Sequence, residues 1–286
     1  MDDAQPAGGN KSTAARLIVS IAAGDVDRIS GELWAMGTIG IEEQGNGRHV
    51  TLLAGFDDPV SAEAAAITIG GEVELIERDA GLDEWRKWAQ PFTAGRFWLV
   101  PAWLDDPTPQ GHQRIELEPG RAFGSGSHVT TRLALRTISA LDLDESSTLD
   151  MGCGTGVLAI ACALSGALVK AVDHDQKAVN STLDNARRNN VADRIGAAMA
   201  IGPPLHQEFD LITANLLLAD LEPIAQAIVD CLGPDGVLIT TGHLVEQRDR
   251  VRKAIDLPCL DEATEDGWSV LTFGRRGGIE AACRDT

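Results

Sequence analysis

The segment Thr148-Leu149-Asp150-Met151-Gly152-Cys153-Gly154-Thr155-Gly156-Val157-Leu158-Ala159-Ile160 limits most sharply what this chain can become. A short apolar strand runs into three glycines at alternate positions and then into an Ala-rich helix. Glycine lets the backbone approach a ligand closely, and the helix N-terminus offers unsatisfied N–H groups to an anion. Twenty-one residues past Gly152, a second apolar strand over 168–172 ends in Asp173. An acid there can accept hydrogen bonds from both ribose hydroxyls. The glycine turn is weak evidence by itself; with the acid it narrows the field to nucleoside-containing ligands.

The spacing separates two classes of such ligands. Dehydrogenases use G-x-G-x-x-G, whereas the third glycine here comes one residue earlier, as G-x-G-x-G. That is the methyltransferase variant, in which the amino-acid tail of an adenosylmethionine lies over the turn. A nucleotide-binding oxidoreductase is therefore disfavoured. Two further segments belong with it. Residues 118–131 carry Gly124, Gly126 and flanking serines and read as a flap, with Ser127 or Thr130 as the cap of a helix over 131–138. His128 reads as a capping or flap residue, since no metal or nucleophile partner is in sight. Residues 209–214 form an apolar strand that delivers Asn215 to the carboxyl edge of the sheet, where ligands of open parallel sheets bind. A side-chain amide there can accept from an amine and aim its lone pair at a methyl donor; the same residue could also cap the next helix.

The first eighty residues have another character. Leu17, Val19 and Ile21 alternate in a strand, and Val26, Ile29, Leu33 and Met36 follow at helical spacing between Asp25 as cap and Gly37 as stop. Short strands flank Gly45-Asn46-Gly47. Asp58-Pro59 opens a second helix, Gly70-Gly71 ends it, and 72–78 is a last strand. The order β-α-β-β-α-β predicts a ferredoxin-like α+β unit over 1–80. That fold also serves RNA recognition, which needs aromatic strand centres and a basic face. Here the strand centres carry no aromatic residue, and fourteen Asp and Glu stand against five Lys and Arg, a net charge of −9. Docking of a basic protein fits better. The whole chain carries −19, which repels nucleic acid. Five cysteines without C-x-x-C spacing fit a reducing cytosol, and neither a signal peptide nor an apolar run long enough for a membrane is present, so a cytoplasmic monomer is expected. Residues 81–110 read as an aromatic-rich connector in which Trp85, Trp88, Phe92, Phe97, Trp98 and Trp103 pack two domains together. Residues 111–286 read as the nucleoside-binding domain. Its apolar strand over 236–241 follows a helix stopped by Gly233-Pro234, and Asp266-Gly267 marks an antiparallel hairpin at the end of a seven-stranded mixed sheet.

The segments EPGRAFGSGSHVTT, LDMGCGTGVLAIA, AVDHDQKAV, ITANLL and TTGHLVEQ, with Glu84-Trp85 and Val100–Trp103 upstream, occur in the order and spacing of the ribosomal protein L11 methyltransferase family, which this chain resembles over roughly 82–255. The resemblance implies a Rossmann-like class I methyltransferase domain that takes S-adenosyl-L-methionine, preceded by a substrate-recognition domain. It implies cofactor contacts at Thr131, Gly152, Gly154, Asp173 and Asn215, with Asn215 also orienting the nucleophile. The implied substrates are lysine side chains and a terminal α-amino group of the large-subunit protein L11, and no metal is implied. This chain departs from the family pattern in places. Arg121, Ser125, Ser127 and Val129 stand where the flap usually reads PGLAFGTGTHPTT, 201–205 lacks the acid expected near the adenine, and His243 replaces an apolar residue. Other amines, on a different protein or a small molecule, would use the same cofactor motifs, and a non-catalytic assembly factor could keep the fold.

Overall fold

The computed structural model describes residues 13–38, 40–45, 48–56, 58–77, 90–118 and 128–275, and their contacts fall into two compact units, Met1–Ala89 and Gln90–Thr286. The first unit runs β1 (Thr13–Ala22), α1 (Val26–Ala35), β2 (Gly40–Gln44), β3 (His49–Phe56), α2 (Pro59–Ile69) and β4 (Glu72–Glu77). Its sheet has the order β2-β3-β1-β4, with every neighbouring pair antiparallel. Strand side chains alternate between faces, so Ala15, Leu17 and Val19 are buried together with Leu52, Ala54 and Phe56. Leu33 of α1 and Ala62 and Ala65 of α2 close that core. The start of α2 is as expected: Asp58 accepts from the Ser61 amide at 2.9 Å, and Pro59 takes the first helical position. Asp25 differs. Its backbone is already helical, which turns the carboxylate away from the first-turn amides, and Oδ1 accepts instead from Arg28 at 3.0 Å.

The second unit begins at Gln90 rather than at 111. The part of the expected connector that is described holds β5 (Phe92–Ala94) and β6 (Phe97–Pro101), which form a small sheet with β7 (Gln113–Leu117) in the order β5-β6-β7. Phe97 and Leu99 lie in this unit's own core beside Ile115 and Leu117. The strands are too short, and the turn residues between them too many, for a period of two to stand out in sequence. Trp85 and Trp88 lie outside the described residues.

The remainder runs α3 (Val129–Ser139), β8 (Ser147–Met151), α4 (Val157–Leu164), β9 (Leu168–Asp173), α5 (Gln176–Arg188), β10 (Ile195–Met199), β11 (Phe209–Asn215), α6 (Leu218–Leu221), α7 (Ala225–Asp230), β12 (Leu232–Leu244), α8 (Arg248–Ala254), β13 (Cys259–Glu265) and β14 (Trp268–Gly274). The seven strands from β8 onward form one sheet, β10-β9-β8-β11-β12-β14-β13, in which only β14 pairs antiparallel, on both of its sides. Both faces are covered. Leu211, Val237 and Ile239 pack with α3 and α4, while their neighbours Ile212 and Leu238 pack with α6, α7 and α8. Strands buried on two faces read as unbroken apolar runs, as 237–239 does. Asp266 and Gly267 both have positive φ, 48° and 77°, and turn the expected hairpin. Gly233-Pro234 does not stop a helix before the strand: β12 already starts at Leu232, and a register shift between Phe209 and Leu211 absorbs the proline.

From β8 the chain passes through α4 to β9 and then β10 on one side, and it returns with β11 on the other. The order therefore reverses between β8 and β11. Ligands of open α/β sheets bind beyond the carboxyl ends of the strands at such a reversal.

Candidate functional site

Strand register puts the expected residues at one level. Met151 pairs with Val172 on one side and with Ala214 on the other. The next residue on each strand is Gly152, Asp173 and Asn215, so all three stand side by side where the sheet ends.

The glycine turn cannot be built from other residues. Gly152, Gly154 and Gly156 have φ of 71°, 53° and 81°, a region that costs a residue with a Cβ roughly 1–2 kcal/mol. A Cβ on Gly152 would lie 2.4 Å from Leu216 Cδ2, and one on Gly156 would lie 2.9 Å from Thr182 Cγ2. The amides of Gly152 and Cys153 both donate to the Val172 carbonyl, at 2.9 and 3.1 Å, which folds the turn over the end of β9. Asp173 is 8% exposed. Its Oδ2 accepts from the Gly154 amide at 3.0 Å and its Oδ1 from the Asp175 amide at 2.9 Å. A carboxylate oxygen has two lone-pair sites, so both oxygens keep capacity for a ligand hydroxyl.

Asn215 ends β11 half-buried, opposite Thr241 in the register with β12. Thr131 is 1% exposed in the first turn of α3, the helix that packs against β11, β12 and β14. That helix begins at Val129, two residues earlier than expected; Ser127 lies outside the described residues, and Thr130, inside the first turn, does not cap it. His128 does: its Nδ1 accepts from the Thr130 amide at 3.4 Å. The imidazole meets Trp268 edge-on, with ring centroids 5.0 Å apart. Burial, helped by Arg132, lowers its pKa to about 4, so the ring is neutral and able to accept. Arg132 and Arg136 both pair with Glu265, which fastens α3 to the hairpin. The flap segment 119–127 lies outside the described residues.

Sequence reasoning passed over three residues, two asparagines and an acid. Asn185 of α5 is 1% exposed. Its Nδ2 donates to the carbonyls of Thr155 and Glu118, both at 3.0 Å, and its Oδ1 accepts from the Glu118 amide at 3.0 Å. One turn on, Asn189 exchanges the same pair of bonds with Glu116, at 2.8 and 2.7 Å. The i,i+4 asparagines thus act as a neighbouring strand for β7 and tie it to the glycine turn. Their spacing was the available signal. The other residue is Asp150, an acid inside an apolar strand, whose carboxyl burial pushes up to about 6.

On the far side of Asp173 from the glycine turn, Met199 pairs with Asp173 in the register, and the Ala200 amide donates to the Asp173 carbonyl at 2.8 Å. Met199 and Ile201 are exposed, Ile201 by 85%, which puts apolar surface beside the acid. His243, the other departure, is fully buried between Ser269 Oγ at 2.8 Å and Thr240 Oγ1 at 3.3 Å. Among the described residues no His, Cys, Asp and Glu cluster could hold a metal ion, and no helix is long and apolar enough to cross a membrane.

The chain has relatives to set beside this geometry. A family model described as ribosomal protein L11 methyltransferase matches residues 58–276. The ribosomal protein L11 methyltransferase of Pseudomonas savastanoi pv. phaseolicola is 37% identical over 80% of this chain and 82% of its own length. That of Tolumonas auensis is 36% identical over 62% of this chain, and the chain spans 61% of that relative's length. The crystal structure of a ribosomal protein L11 methylase from Lactobacillus delbrueckii subsp. bulgaricus superposes with a TM-score of 0.61 at 27% identity, covering 65% of this chain and 99% of that one. Matched through most of its length and through every strand of the seven-stranded sheet, the chain belongs to the ribosomal protein L11 methyltransferase family.

Proposed function

We propose that this chain transfers methyl groups from S-adenosyl-L-methionine to lysine side-chain and α-amino groups of ribosomal protein L11. The register that sets Gly152, Asp173 and Asn215 side by side at the sheet's reversal point carries this reading. The residues present fit the cofactor. The glycine turn leaves room that a Cβ would fill, and the carboxylate of Asp173 faces that turn with acceptor capacity to spare. Asp173 would accept from the ribose hydroxyls, and Gly152 and Gly154 would admit the amino-acid tail. Thr131 would line the same end of the sheet, and the exposed apolar surface of Met199 and Ile201 would cover an adenine face in place of the missing acid.

S-adenosyl-L-methionine supplies, when bound, a methyl group already activated by the positive sulfur. The protein's part is positioning and exclusion of water. The acceptor amine must be neutral to attack, and a dry pocket lowers a lysine pKa. Asn215 would accept a hydrogen bond from that amine and fix its lone pair on the line of attack. No general base is needed.

The strand order β2-β3-β1-β4 with two crossing helices supports a ferredoxin-like assignment for the first unit, and its net charge of −9 supports a role in holding a basic ribosomal protein. The same acidity argues against direct nucleic-acid binding. A cytoplasmic monomer is part of this reading; the four free cysteines among the described residues fit a reducing compartment.

Incubating the purified protein with methyl-labelled cofactor and L11, followed by mass spectrometry of the product, tests the reading. Added methyl masses on lysine and the α-amino group are expected. Label appearing only on another protein or a small amine would replace L11 as the substrate, and binding without turnover on any ribosomal protein would leave an assembly factor.

A further inference from the structure

We propose that Asp150 is a positioning residue that locks the glycine turn to the strand carrying Asn215. Asp150 is 1% exposed in β8, and its two oxygens serve two different elements. Oδ1 accepts from the Thr213 hydroxyl at 2.7 Å, and Oδ2 accepts from the Ala159 amide at 3.2 Å. Thr213 is the register partner of Asp150. Each lies two residues before an edge residue, Gly152 on β8 and Asn215 on β11. The bond between them therefore sets how those edge residues stand relative to each other, beyond what the backbone ladder fixes.

The second bond explains why an acid is there at all. Ala159 is the third residue of α4, and its amide is one of the donors a helix start leaves unsatisfied. The usual remedy is a Ser, Thr or Asp at the N-cap, but that position is Gly156, with no side chain to offer. Nothing larger fits, because a Cβ would meet Thr182 at 2.9 Å. Asp150 caps the helix from within the sheet, and its charge sits near the positive end of α4. One carboxylate thus holds three elements of the site: the strand before the turn, the helix after it and the strand bearing Asn215.

This rests on the reading of Asn215 as the group that orients the amine. The test compares three variants of the full chain. Thr213→Val keeps the shape and removes only the lateral bond. S-adenosyl-L-methionine affinity by calorimetry should stay within about twofold, while kcat on L11 falls about tenfold from misalignment. Asp150→Asn keeps an oxygen for Ala159 and an amide group for Thr213, and should rescue both quantities to within about threefold. Asp150→Ala loses both contacts and should lower affinity as well as kcat. Amide hydrogen exchange of the cofactor-free proteins gives a second readout: faster exchange at 213–215 in Thr213→Val, and at both 213–215 and 157–160 in Asp150→Ala. Wild-type kcat and unchanged exchange in Thr213→Val would overturn the proposal, as would an Asp150→Asn protein as impaired as Asp150→Ala. A wild-type protein that methylates nothing would sink the functional reading instead, and the exchange data would still decide the role of Asp150.

Discussion

The Gly154 amide donates to Asp173 Oδ2 at 3.0 Å, so the middle glycine of the turn and the acid closing the next strand are joined before any ligand arrives. The second oxygen is held from the other side by the Asp175 amide at 2.9 Å, which fixes the direction of the carboxylate. Asp173→Ala should therefore weaken S-adenosyl-L-methionine binding by roughly 1.5–3 kcal/mol, the scale of hydrogen bonds to a charged group. It should also lower the melting temperature, because two backbone amides lose their acceptor. Calorimetry on the folded variant checks the first effect; unchanged affinity would remove Asp173 from the ribose.

Asn215 should divide differently. Its place beside Gly152 is set by the ladder, and its proposed task is aligning the acceptor amine. Asn215→Ala is expected to lose turnover by a much larger factor than cofactor affinity. Parallel measurements of kcat and of cofactor Kd decide this. Equal losses in both would make Asn215 chiefly a cofactor ligand.

Much of this site could be read in the sequence because it is local or periodic. Strand, glycine turn, helix and second strand lie within 147–173, and each rests on a backbone demand that few residues meet. What could not be read depends on partners far along the chain. Glu118 and Asn185 are 67 residues apart, and Asp150 and Thr213 are 63 apart, so neither pair leaves a trace in spacing. His128 could be read only as cap or flap, without a choice between them, because its ability to accept depends on burial against Trp268, which only the folded hairpin supplies. The second unit starts before the expected 111 because β5 and β6 are shorter than the window over which alternation is convincing.

Acid stability offers a separate check. Burial lowers the pKa of both His128 and His243 to about 4 and raises that of Asp150 to about 6. A histidine that is neutral in the fold costs nothing above its unfolded pKa of about 6.5, and stability is lost as pH falls from there through 4, by up to about 3 kcal/mol each. Asp150 has the opposite sign: its burial opposes folding above pH 6, and protonation relieves this as pH falls toward 3.8. The two histidines outweigh the one acid, so unfolding free energy should drop between pH 6.5 and 4. His243→Leu should flatten that drop at little cost near pH 8. Ser269 Oγ still donates to the backbone carbonyl of residue 243 and Thr240 Oγ1 to that of Leu271, so neither hydroxyl is orphaned. Urea titrations across this range measure it; an unchanged slope would show that His243 takes up its proton equally in the folded and unfolded states.

The division of labour between the two units rests on charge. Residues 1–80 carry −9, whereas the proposed substrate is a basic ribosomal protein. We expect the first unit to hold that protein and the second to carry the chemistry. The second unit has its own apolar core on both faces of its sheet, so it should fold without the first. Removing residues 1–89 should leave S-adenosyl-L-methionine binding within about twofold, abolish methylation of intact L11 and spare residual activity on short lysine peptides. In the full chain, KM for intact L11 should rise as salt is raised from about 0.05 to about 0.3 M, because exposed charges more than a screening length apart stop attracting. The same salt change should leave KM for a short peptide nearly constant, since a peptide bypasses the acidic unit. That contrast separates lost long-range attraction from a general effect of salt on the active site. A truncated protein that methylates intact L11 at the full-length rate would make the first unit a solubilising or regulatory appendage, and the salt dependence would then have to arise in the second unit.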